Sequence, residues 1–187
     1  MHSKLDPGNQ FDMTDAQLRR VIYSNWDFQQ ALSALTFLME ECDFDAKYTN
    51  VQLRKFRCYE TSVVIAFARP FEISRGRTSI GLKALGVRLD GDELVLKERM
   101  LNLRRQVVAH SDEDSMHFRG SLMQPFEDHE VTIPLFKFNE TLHLNVSELR
   151  PLEALLGKLM HAVTHTLFKI AQVAPERLDV YKAPASG

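Results

Sequence analysis

Arg104, Arg105 and His110 stand within the segment Leu103-Arg104-Arg105-Gln106-Val107-Val108-Ala109-His110-Ser111-Asp112, at the end of a strongly patterned helix. Arginine beside histidine is a pair suited to phosphate chemistry without a metal. A guanidinium forks onto phosphate oxygens and spreads charge over them. An imidazole, with an unperturbed pKa of roughly 6.5, gives or takes a proton near neutrality. At about 100° per residue, Leu96, Met100, Leu103 and Val107 form the core stripe of this helix. Arg104 lies beside the stripe, between it and Leu101 and Val108. Arg105 points to the far side, and His110 returns near the stripe at the helix end. An arginine beside a core needs a partner, because an unpaired buried charge is costly. Glu60 falls inside a second apolar stripe, Phe56, Val63 and Phe67, so a Glu60–Arg104 pair across two packed helices is expected. The competing structural reading is that basic groups at a helix C-terminus complement the dipole and bond the last carbonyls.

Other constellations carry less. His161 and His165 are four apart on one helix, a metal-ligand spacing. They lack a third ligand and read as a helix surface or subunit contact, so no metal is expected. Asp112-Glu113-Asp114 reads as an exposed loop with a helix-ending role. Gly76, Gly81 and Gly86 precede no Gly-Lys-Ser/Thr and form no phosphate loop. Lys97, Arg99, Arg104 and Arg105 against Glu98, with Arg75, Arg77 and Lys83 nearby, describe either a basic face or a solvated helix side.

The elements that must position these residues are mostly helices. Thr14 and Gln17 have the spacing of a capping box, and helical periodicity runs from there to about Met39. Leu32, Leu35, Phe37 and Leu38 supply its apolar side, Trp26 is expected to anchor its middle, and Asn25 marks a break. A second helix spans about 46–68 and ends at Arg69-Pro70. A short turn of helix falls around 80–85. The third helix runs from Glu93 to about Ala109, with Asp92 as its cap. The segments 129–138 and 142–146 alternate as a hairpin with its turn at 139–141, Pro134 implying an edge role. Residues 116–118 would add a short strand. Ser147 would cap a closing helix to about Val173. The expected architecture is a mainly α, antiparallel helical bundle in one domain, 1–187. Its β-hairpin insertion occupies 116–146, before the C-terminal helix, and 1–12 and 180–187 are its loose ends.

A length of 187 residues suffices for a real core. With 44% hydrophobic and 26% charged residues the chain falls in the ordinary globular class, not the disordered one. A net charge of -2 argues against broad electrostatic coating of nucleic acid, though not against a local basic site. Cys42 and Cys58 have no redox or zinc spacing and read as reduced and largely buried. The polar start, without a signal-peptide core, and the absence of an apolar run near the roughly 20 residues of a membrane span make the cytoplasm the expected location.

The frame Leu103-Arg104…His110-Ser111-Asp112 resembles the signature of the HEPN superfamily, an arginine and a histidine separated by four to six residues at a helix end. Tyr59-Glu60, the Arg69-Pro70-Phe71 break and the loop from Ser74 to Arg77 are also similar to bacterial HEPN-like proteins. The resemblance has specificity over about 50–115. Where the family usually carries Asn, Asp or His after the arginine, this chain has Arg105. Both Arg104 with five intervening residues and Arg105 with four fit the spacing; the surrounding frame and the helical wheel favour Arg104. The resemblance implies a HEPN-like bundle and metal-independent RNA cleavage without a cofactor, of a toxin–antitoxin or phage-defence type. Arg104 and His110 would be catalytic at the cleft of a homodimer. Glu60, Arg105, Ser111, Asp112 and Tyr59 would support them, and Arg75, Arg77, Lys97 and Arg99 would bind RNA. A cognate antitoxin is a further implied partner. The alternative is a non-catalytic HEPN-like binding or assembly module in which the motif is structural.

Overall fold

The helices begin where side chains can satisfy the first free amides. Thr14 with Gln17, Thr49 with Gln52, and Asp90 with Glu93 each form a reciprocal capping box. At a fourth start Glu148 reaches back to the Asn145 amide at 2.9 Å. In a computed structural model, which describes residues 13–73, 78–105, 118–125, 132–138 and 141–179, these caps open α1 (Asp15–Glu41), α2 (Asn50–Ala68), α3 (Gly91–Leu103) and α4 (Val146–Val173). Two caps differ from expectation. Asp90, not Asp92, closes the box of α3, because its carboxylate reaches the Glu93 amide at 2.9 Å. Asn145, not Ser147, precedes α4.

The architecture is mainly helical, with one small antiparallel sheet among the described residues. The apolar faces of α1, α2 and α4 meet in a core that includes Phe28, Leu35, Leu38, Val63, Phe67, Leu152, Leu156 and Leu159; Met100 enters from α3. α1 runs unbroken through Asn25. Phe37 and Trp26 are exposed, contrary to the expectation that they face inward. On the wheel Trp26 lies roughly 160° from Phe28, so the periodicity set by Val21, Phe28 and Leu35 turns it away from the core. Cys42 is buried as expected, whereas Cys58 is exposed. Among the described residues no helix is long and apolar enough to cross a membrane.

The sheet pairs β1 (Phe118–Met123) with β2 (Ile133–Phe138), in register from Phe118↔Phe138 to Met123↔Ile133. The expected partner strand at 142–146 is not a strand. The His143 and Leu144 amides are taken by Glu60, and the Asn145 amide by Glu148, so the three central donors of the segment are not available to a ladder.

After α2, Arg69–Phe71 forms a short 3-10 turn at the proline. The Phe71 ring lies 5.6 Å from Phe67 and 5.9 Å from Phe28, between ring centres. This aromatic triangle fixes the end of α2 against α1 and sets Arg69 and Glu72 beside it.

Candidate functional site

One described cleft gathers ionisable groups around the motif arginine. It encloses about 330 Å³ and is lined by Arg20, Tyr23, Trp26 and Asp27 of α1, by Arg69 and Glu72 at the end of α2, and by Arg104 at the end of α3. A second cleft, about 350 Å³, lies between the start of α1 and residues 79–85, and no lining side chain there is charged. The first is therefore the candidate site.

Three local features build it. On α1, Arg20, Tyr23, Asp27 and Trp26 occupy the flank and back of the core-facing stripe, so one face presents both charge and aromatic surface. The Phe28–Phe67–Phe71 contacts hold the 69–72 turn in place. At the end of α3 the backbone opens into a wider turn at Arg104 and Arg105. Both arginines reach Glu72, Arg104 through Nη1 at 2.8 Å and Arg105 through Nε at 3.2 Å, one carboxylate oxygen each. Arg105, expected on the far side, thus shares the partner of Arg104.

The electrostatics favour an anion. Three guanidinium groups line the cleft against two carboxylates. Burial pushes the Asp27 carboxyl above its ordinary range, and Arg20 and Arg69 only partly pull it back. Its contacts to them are long, 3.9 Å to Arg20 and 3.5 Å to Arg69. Arg20 also donates to the Pro70 carbonyl at 3.4 Å. The Arg69 and Arg104 side chains are 52% and 37% exposed, and each guanidinium has five N–H donors, more than its carboxylate contact uses. Trp26 is 61% and Tyr23 56% exposed, unusual for large rings on a face otherwise charged. Guanidinium groups beside aromatic rings are the residue types that bind and orient a phosphate ester. Asp27 and Glu72 hold the arginines in place.

Glu60 belongs elsewhere. It is buried, as its place in the apolar stripe implied, but the Glu60–Arg104 pair does not form. Its Oε1 accepts the His143 and Leu144 amides, both at 2.6 Å, and its nearby cations are Arg57 and Arg99. Burial still outweighs these bonds and leaves its carboxyl above the ordinary range. Arg99, expected to meet RNA, donates to the His143 carbonyl at 2.7 Å and to Glu148. Lys97 lies over the Phe71 ring, 5.2 Å from its centre, and bonds Glu98 at 2.6 Å. Tyr59 donates to Glu41 at 3.2 Å. His110, Ser111, Asp112, Arg75 and Arg77 lie outside the described residues. His161 and His165 stack in parallel, 6.1 Å between ring centres, and among the described residues no group of three candidate metal ligands converges.

Sequence reasoning missed Arg20, Tyr23, Trp26, Asp27, Arg69 and Glu72. The available signal was on α1: its apolar periodicity already placed Trp26 and Tyr23 outside. Neither a protein-family model, a curated protein nor a solved structure matches the chain.

Proposed function

We propose that this chain is a HEPN-like, metal-independent endoribonuclease of a toxin–antitoxin or phage-defence type, with Arg104 as phosphate ligand and His110 as proton-transfer group. One observation carries the reading: Arg104 shares its cleft with two further arginines and two exposed aromatic rings. In this reading a ribose 2′-hydroxyl attacks the adjoining phosphorus and the 5′-oxygen leaves, giving a 2′,3′-cyclic phosphate. His110 serves by taking the 2′ proton or by protonating the leaving oxygen. Arg104 stabilises the added charge on the phosphoryl oxygens. A homodimer would set two copies of the motif against one RNA, and a cognate antitoxin would restrain it.

A second reading is favoured by Glu72, whose carboxylate is engaged by both motif arginines. There the chain is a non-catalytic binding or assembly module and the motif a clamp. Purified protein incubated with single-stranded RNA in excess chelator separates the two. The nuclease reading expects cleavage, reduced about 10²–10⁴-fold by His110→Ala with an unchanged thermal midpoint. Intact RNA across varied substrates, with no growth defect on expression, would leave the binding module.

A further inference from the structure

We infer that the Tyr23–Trp26 face of α1 stacks an unpaired nucleobase of single-stranded RNA whose adjoining phosphate is held by Arg69 and Arg104. The inference deepens the nuclease reading and rests on it only for the choice of RNA. Tyr23 and Trp26 are three residues apart, hence neighbours on one helix face, and both rings are mostly in solvent. The same cleft carries Arg69 and Arg104, each with its side chain partly exposed. Aromatic rings beside backbone-tracking cations are what sequence-tolerant single-strand binding uses, because every base has a π-face.

The size of the cleft sets the class further. About 330 Å³ lies at the lower end of small-ligand sites, room for one nucleotide and not for a helix. Bases in a duplex are stacked on each other, whereas those of a single strand are free to splay onto a ring. Asp27 and Glu72 keep the guanidinium groups beside the rings, so base and phosphate meet preformed partners.

Trp26 is the chain's only tryptophan, so its emission reports this site alone. The probe is a short 2′-O-methyl single-stranded oligonucleotide, which lacks the nucleophile and survives any cleavage. We expect it to quench Trp26 emission. By anisotropy of a labelled copy, Trp26→Ala should weaken binding about tenfold, while Trp26→Phe keeps most of it. Arg69→Ala should weaken binding and lower the salt slope by about one. Circular dichroism of each variant checks the fold. Absence of quenching, equal affinity in Trp26→Ala, or equal quenching by the annealed duplex, polyphosphate or phosphatidylserine vesicles overturns the inference. Unmodified RNA separates it from the nuclease reading. Quenching without cleavage leaves the stacking site and removes the nuclease. Cleavage with unchanged KM in Trp26→Ala does the reverse.

Discussion

Two regions of this molecule use the same residue types to opposite ends. Around Glu60, two carboxylates and an arginine close on one another and on the backbone at 143–145. Around Arg104, arginines and carboxylates pair side chain to side chain, closely at Glu72 and loosely at Asp27, with Arg69, Arg104, Tyr23 and Trp26 partly in solvent. The difference lies in what the charged groups are bonded to. Backbone amides are fixed, so Glu60 and Arg99 latch the segment that launches α4. Exposed guanidinium groups have water as the alternative partner, and a phosphate can replace it. An arginine–carboxylate cluster is therefore open to a ligand only where some of its donors remain free to exchange.

The largest expected effect comes from breaking the latch. Glu60→Leu leaves the His143 and Leu144 amides without an acceptor in a buried setting. It should lower unfolding free energy by about 3 kcal/mol in urea titrations. Glu60→Gln retains an acceptor oxygen and removes a desolvated charge, so its change should stay within about 1 kcal/mol. If Glu60→Leu proves as mild as Glu60→Gln, the latch is no more structural than the cleft.

A smaller effect separates the regions by pH. Burial lowers the His143 pKa, helped by the charges of Arg57 and Arg99. The unfolded chain therefore binds a proton at about 6.5 that the folded chain refuses. Stability should be fully present above that pH and fall as pH drops from it toward the lowered value. Asp27 and Glu60 act in the opposite sense. Their raised carboxyl pKa values add stability below their ordinary range that is lost as pH rises through the folded values. Urea midpoints measured across this range should show His143→Gln flattening the limb just below pH 6.5. Asp27→Asn should flatten only the more acidic, opposing limb. A limb below 6.5 that survives His143→Gln would assign it to another histidine.

What was legible in the sequence depends on the range of the interaction. The Thr14–Gln17 box and the Arg69-Pro70 stop are local, decided within a few residues, and stand where the pattern puts them. The burial of Glu60 was legible from its stripe, but its partner was not: His143 and Leu144 are more than eighty residues away. The same long contact removed the alternating segment 142–146 from the sheet, because alternation records side chains and not where the amides bond. The cleft was least legible. Its lining comes from three helix ends or flanks far apart in sequence, and of these only Arg104 stood in a recognisable spacing. Trp26, expected to anchor the middle of α1, faces solvent, where the wheel of α1 turns it.

The smallest expected effect is the sharpest test of the contrast. Trp26→Ala removes a ring that is 61% exposed, so stability should change by no more than about 0.5 kcal/mol. Arg104→Met breaks a partly exposed pair with Glu72, for which about 1 kcal/mol or less is expected. Both changes remove what the cleft offers to a ligand. Neither takes an acceptor from a buried amide. Losses near those of Glu60→Leu, read in the same urea titrations, would mean that Trp26 and Arg104 hold the fold together, and the division between latch and cleft would fail. Near-zero losses would leave no structural reason for a large ring and a guanidinium to face the same opening, and would make binding the property that accounts for them.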